Sequence, residues 1–242
     1  MKLLGHSSAK TQKGEQVGYL TGILYLAPHT LSGAGNVCPW AALCKKGCLN
    51  SAGKGAFSNV QKARIAKTRL FFTDRDAFLE TLYLDCKALI AKAKRLGLLP
   101  CIRLNGTSDL AFHRLTVPSQ GKTLMECFPS VPFYDYSKSV KKALDNAKGL
   151  HAPNYTVVFS RDSQSNETEC AAVLRAGGNV AVVFRDSLPS VFWHRPVLNG
   201  DATDLRFLDR RAKAGHSGFV VGLKAKGKAK YDQSGFVVDT LN

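Results

Sequence analysis

The chain contains no long apolar run. Nothing in its 242 residues approaches the roughly 18 consecutive apolar residues that a membrane-spanning helix needs. Its opening stretch, MKLLGHSSAK, has one short apolar pair and then turns polar, so a secretory signal is not expected. Neither internal repeats nor Pro/Ser-rich linkers interrupt it, which predicts one domain over residues 1–242 with no membrane partner. Acidic residues are scarce: 18 Asp and Glu stand against 34 Lys and Arg. The cysteine count is odd, at seven, and excludes a fully paired disulfide framework. With a cytoplasmic setting expected, the thiols are reduced, and clustered reduced thiols point to metal. Of the histidines, His113, His194 and His216 show no ligand spacing such as H-x3-H.

What the chain does have is positive charge and apolar content. A formal net charge of +16 attracts polyanions and speeds their encounter, so nucleic acid is one candidate partner. Hydrophobic residues make up 45%, enough for a full core.

Strand and helix signals alternate. Short apolar stretches at 21–28, 101–106, 132–137, 155–160 and 179–184 read as strands. A basic helix is predicted over 59–70. A longer one follows over 74–97, with Thr73 or Asp74 as N-cap, Phe78, Leu82, Leu89 and Ala93 at helical spacing, and Gly97 as its stop. SVKKALDNAKG and NETECAAVLRAGG supply two more helices ending in glycine, and the C-terminal strands, around RPVLNGD, GFVVGLKAKGKAKY and SGFVVDT, are irregular. Apolar strands separated by helices indicate βαβ units. The predicted fold is α/β, a partial (βα) barrel with mostly parallel strands.

Each predicted strand ends in small or polar residues: Asn105-Gly106-Thr107-Ser108-Asp109, Ser137-Lys138, Ser160-Arg161-Asp162, Arg185-Asp186 and Asn199-Gly200-Asp201. The C-terminal strand edge is where parallel α/β proteins build their sites, because the loops converge there.

One loop stands apart, 35-GNVCPWAALCKKGCLNSAGKGAF-57, carrying Cys38, Cys44 and Cys48 at C-x5-C-x3-C spacing. Zinc sites favour closer pairs and four ligands, and the fourth would have to be His29 or one of Cys86, Cys101, Cys127 and Cys170, most of which read as core residues. A [4Fe-4S] cube can take three thiolates and leave one iron for an exogenous ligand. Gly33, Gly35, Gly47 and Gly53 would let the backbone wrap it, Lys45 and Lys46 would offset its charge, and Trp40 would shield one side. Zinc and plain structural thiols stay open beside it.

A cysteine triad in the loop after the first strand of a partial barrel resembles the radical S-adenosylmethionine superfamily. That resemblance implies a cofactor site for S-adenosylmethionine, with Asn105, Gly106, Thr107, Ser108 and Asp109 at the position of the superfamily's amino-group motif and Ser160 and Arg161 at its fourth-strand contact. The triad departs from the usual C-x3-C-x2-C, and NGTSD is not the usual GGE. The blocks GNVCPWAALCKKGCLNSAGKGAF, RLNGTSDL, GDATDLRFLD and GLKAKGKAKYDQSGF are similar to a phage family called gene product 88, which implies a viral or mobile-element origin, hence a host cytoplasm, and no activity.

Two further patterns bear on function. If 224–230 is extended, Lys224, Lys226, Lys228 and Lys230 share one face; a lysine-defended edge strand or a phosphate-tracking ridge would both look so. Lys62, Arg64, Lys67 and Arg69 of the basic helix would continue the ridge. Asp201, Asp204 and Asp209 form either an Asx turn or a Mg²⁺ site. Three functions follow: a cluster enzyme on a radical-S-adenosylmethionine-like barrel, a non-catalytic Fe–S or zinc protein that binds nucleic acid, or a Mg²⁺-dependent nuclease using Asp109, Asp201 and Asp204.

Overall fold

The computed structural model describes residues 1–6, 9–45, 48, 50, 53–163, 166–210, 212 and 215–240. Short β1 (Leu4–Gly5) and helix α1 (Ala9–Glu15) precede β2 (Tyr19–Leu24); the cysteine loop, α2 (Ser58–Thr73) and α3 (Arg75–Arg95) lead to β3 (Leu99–Arg103). A small hairpin, β4 (Thr116–Val117) and β5 (Lys122–Thr123), and one turn of helix, α4 (Leu124–Cys127), come before β6 (Phe133–Ser137). Then follow α5 (Val140–Ala147), β7 (Tyr155–Ser160), α6 (Glu167–Arg175), β8 (Val180–Phe184), β9 (Val191–Phe192), β10 (Arg195–Asn199), β11 (Val220–Lys224) and β12 (Val237–Val238).

Nine strands run in the order β1-β2-β3-β6-β7-β8-β11-β10-β9, and a tenth, β12, pairs with β8 off that path. All neighbours from β2 to β10 are parallel; only β1 and β9 join antiparallel, at the two ends of the path. The sheet is therefore open rather than closed on itself. The C-terminal segments, expected to be irregular, supply β10 and β11, which extend the parallel sheet in register (Val197 beside Val220, Val220 beside Val180).

Side-chain alternation assigns the two faces. Leu20, Leu24, Ile102, Phe133, Val157, Phe159, Val180, Val182 and Val220 pack into one core with Phe78, Leu82, Cys86 and Leu89 of α3, Ala143 of α5 and Val173 and Leu174 of α6. The crossover helices thus all lie on one face. The other face carries smaller clusters, Cys101 and Tyr134 with Leu205, and Val158, Ala181 and Val221 with Tyr136 and Leu223. Part of it is covered by α1, where Gly14 lies against Thr21, and by the stretch after β10, whose Asp201 carbonyl accepts from Lys13.

Local chemistry sets the element ends. Asp74 caps α3 by accepting from the Ala77 amide at 2.9 Å. The first long strand stops at Leu24, short of the predicted 28, because the next backbone groups find side chains: Thr107 Oγ1 donates to the Leu26 carbonyl and the Ala27 amide donates to Thr68 Oγ1. Beside α5, the His113 and His151 rings lie 4.4 Å apart between centroids, and neither nitrogen of His113 has a partner among the described residues.

Burial, with Lys142 and His151 nearby, pushes the His113 pKa down to about 3 from 6.5. A folded-state pKa below the unfolded one means that stability is fully present above pH 6.5 and is lost as pH falls towards 3. Urea unfolding should show a decline of about 1–2 kcal/mol between pH 7 and pH 5 that His113→Phe largely removes.

Candidate functional site

The C-terminal ends of β2, β3, β6 and β7 open on a cavity of about 210 Å³. Its wall includes Cys38, Cys44 and Cys48, together with His29, Lys45, Gly106 to Asp109, Lys138 and Ser160. The three cysteines and the polar strand ends, separate in sequence, thus meet in one place. Lys46 and Gly47 lie outside the described residues. Trp40, expected to shield the thiols, is instead 56% exposed and away from the cavity wall.

Two carboxylates from strand ends fix the cysteine loop. Asp162 accepts from the Leu43 and Cys44 amides, each at 3.3 Å, and pairs with Lys138 Nζ at 3.1 Å. It pins the short 3₁₀ turn Leu43–Lys45 to the end of β7. On the other side, the Asp109 amide donates to the Val37 carbonyl at 2.8 Å, and the Cys38 thiol donates to the Thr107 carbonyl at 3.5 Å. The Asp109 carboxylate accepts from Ser137 Oγ at 2.8 Å, from the Lys138 amide at 2.7 Å and from Lys142 Nζ at 3.3 Å. Close approach needs glycine at two places. A Cβ at Gly35 would meet the Phe72 ring at 2.4 Å, and one at Gly106 would meet the Leu24 carbonyl oxygen at 2.7 Å.

The 105–109 segment is therefore a brace. Asn105 is buried, its amide group donating to Asp135 and the Leu110 carbonyl while its carbonyl oxygen accepts from Ser108 Oγ and the Leu110 amide. Asp135, fully buried, also accepts from the Asn105 amide at 2.7 Å and the Tyr155 hydroxyl at 3.0 Å. Arg161 is likewise engaged: its guanidinium donates to the Gly235 carbonyl at 2.8 Å and pairs with Glu167 at 3.3 Å. It sits where β7 parts from β8 and β12 takes its place, β7 pairing at Val180 and Ala181 and β12 at Val183 and Phe184.

Burial pushes the Cys38 thiol up to about 11, with Cys48 and Cys44 adding to the rise, and burial raises Cys44 as well. Anionic thiolates here need positive charge beside them. Lys138 and Lys45 line the cavity, and Arg64 of α2 is near Cys48. Among the described residues no three His, Cys, Asp or Glu side chains converge on a point where one metal ion could sit, the cysteine trio included.

The carboxylates proposed for Mg²⁺ do not assemble. Asp109 belongs to the cysteine cavity, whereas Asp201 and Asp204 line a neighbouring one. Each has its own cation: Lys142 for Asp109, Lys226 at 2.5 Å for Asp201, Arg103 at 2.8 Å for Asp204 and Arg206 at 3.1 Å for Asp209. The lysine comb also needs correction. Only Lys224 belongs to a strand; residues Gly227–Tyr231 form a 3₁₀ helix, so Lys224, Lys226, Lys228 and Lys230 are exposed but do not share a strand face. Nor does α2 present a basic ridge. Arg64 is buried on Asn50 and over the Tyr25 ring, and Lys67 donates to the Leu3 carbonyl at 2.7 Å, which leaves Lys62 and Arg69 exposed, Arg69 donating to the Ser32 carbonyl at 3.2 Å.

Lys138 and Asp162 were visible in the sequence as polar strand ends, but only the structure gives them roles. Asp162→Ala should release the Leu43 and Cys44 amides and strand Lys138, at a cost of about 3 kcal/mol. Alkylation of Cys44 at fixed pH, followed by mass spectrometry, should accelerate at least about fivefold, while Cys127 is unaffected.

No curated protein and no solved structure gave a match. A family model described as gene product 88 matches residues 2–240, and the chain, with this cysteine-lined sheet edge at its centre, belongs to the gene product 88 family.

Proposed function

We propose that this is an iron–sulfur protein, virus- or mobile-element-encoded, that holds a [4Fe-4S] cluster through Cys38, Cys44 and Cys48 and acts on or binds nucleic acid at the same sheet edge. The observation that carries this reading is that the three thiols line one cavity together with Lys45 and Lys138. A structural zinc takes four ligands, whereas a cube can be held by three thiolates, the number that this cavity presents. When bound, such a cluster supplies a redox-active centre with one iron open to an exogenous ligand.

The chain's own residues have defined work in this reading. Asp162 and Asp109 hold the loop that carries the thiolates, and Lys45, Lys138 and Arg64 offset negative charge. The radical-S-adenosylmethionine-like reading rests on the cysteine triad after the first long strand; β2, β3, β6, β7 and β8 add in sequence with their helices on one face, an arrangement common to parallel α/β sheets. Asn105, Asp109 and Arg161 then shape the cavity wall, since their polar atoms are engaged within the protein. The nuclease alternative is disfavoured by carboxylates that are separately neutralised. The net charge of +16 favours a polyanionic substrate.

Protein purified or reconstituted without oxygen should be brown, with broad visible absorbance and, on reduction, the paramagnetic signal of a cubane. Replacing Cys38, Cys44 or Cys48 singly with Ala should abolish both, and Cys127→Ala should leave both intact. A colourless protein carrying stoichiometric zinc overturns the proposal. On the same sample, 5′-deoxyadenosine formed from S-adenosylmethionine assigns the cluster a catalytic role, and an intact cluster without that product assigns it a structural or redox-sensing one.

A further inference from the structure

Beside the cysteine cavity lies a second one, of about 300 Å³, on the sheet face that the crossover helices leave free. The two share Arg103, Tyr136, Ser160 and Phe236 as a common wall. The second cavity has two chemically distinct parts. Its floor is apolar, built from Val183, Leu223, Ala229 and Phe236. Its rim carries the ammonium groups of Lys13, Lys224 and Lys226 and the carboxylates of Asp201 and Asp204; Asp201 pairs with Lys226, which leaves Lys13 and Lys224 in excess. Arg103 adds no free charge, since Asp204 pairs with it.

Two buried polar atoms in the shared wall lack a hydrogen-bond partner among the described residues, Arg103 Nε and the Tyr136 hydroxyl, and the hydroxyl is the one that can both donate and accept. Leaving such a group unpaired costs about 1–3 kcal/mol, so a native protein keeps one for a reason. Arg103 lies against the face of the ring, 4.7 Å from its centroid, and steadies it. A ligand suited to this cavity is flat and apolar in its body, has a polar edge for the hydroxyl, and carries an anion at one end.

We infer that the cavity binds a single nucleotide unit, the base on the Val183–Leu223–Phe236 floor with its edge hydrogen-bonded to Tyr136, and the phosphate at Lys224 and Lys226. The inference rests on the nucleic-acid half of the function proposed above and names the unit recognised; it does not require the cluster. A free nucleotide and a nucleotide within a single strand offer the same groups.

Calorimetric titration of the full-length protein separates the cases. The probes are a nucleoside monophosphate, its nucleoside, orthophosphate and a short single-stranded oligonucleotide. The monophosphate should bind at least about tenfold more tightly than the nucleoside or orthophosphate. Tyr136→Phe should weaken it about tenfold with an unchanged circular dichroism spectrum and melting temperature. Lys224→Ala combined with Lys226→Ala should weaken the monophosphate, flatten its salt dependence and spare the nucleoside; Lys228→Ala, an exposed lysine outside the cavity, should have no effect. Tighter binding of the oligonucleotide than of the monophosphate identifies the polymer as the source, and equal binding the free nucleotide. Monophosphate binding no tighter than that of orthophosphate, or a folded Tyr136→Phe variant with undiminished affinity, overturns the inference. Iron and sulfide are assayed on the same sample. Colourless protein that binds the monophosphate leaves this inference standing and removes the cluster, and a brown protein that does not bind it does the reverse.

Discussion

Two carboxylates with little access to water, at strand ends on either side of β6, hold the rest of the site in place. Asp109 and Asp162 stand after β3 and β7, and each joins loop backbone to a lysine that has little access to water. A buried ion pair contributes little net stability, but losing one partner leaves an uncompensated charge, which makes the geometry unforgiving. Asp162 governs where Cys44 sits through the amides of Leu43 and Cys44. Asp109 governs the relation between β3 and β6, and through its own amide the position of Val37 next to Cys38. The cysteine loop, with little regular structure of its own, inherits order from the sheet.

That dependence explains why the site lies where it does. Parallel strands point their C-terminal ends the same way, and the loops leaving β2, β3, β6 and β7 meet above them. With the crossover helices confined to one face, the part of the other face that α1 leaves uncovered is free for a cavity walled by strand side chains such as Arg103, Tyr136 and Ser160. The cysteine cavity and the larger one beside it therefore share a wall because they are built on one sheet.

Sequence patterns made the long elements legible. The stretch 155–160 coincides with β7, and the Asp74 cap and the apolar spacing of Phe78, Leu82 and Leu89 describe α3. The polar strand ends pointed to the site's edge, since hydrophobic periodicity marks where a strand stops. The basic helix misled because its buried stripe is Arg64, Thr68 and Phe71, a partly polar face that a hydrophobicity pattern does not reveal. The lysine alternation misled because period two implies an extended chain only where nothing bends it. Here Gly227 takes a positive φ of 56°, Ala229 is buried, and Arg185 binds the Lys230 and Asp232 carbonyls. The unpaired Tyr136 hydroxyl left no trace in the sequence, since a tyrosine in a strand is ordinary until its surroundings are known.

The late arrival of β12 has a temporal consequence. Phe236 is made after every other residue that walls the two cavities, and Arg161 holds its segment against β7 through the Gly235 and Phe236 carbonyls. A nascent chain emerging from the ribosome acquires the thiols, the braces, the lysines and three members of the dividing wall first, and the Phe236 ring last. The wall common to both cavities is therefore completed only when the C-terminal segment docks, so its closure depends on the last residues to be synthesised.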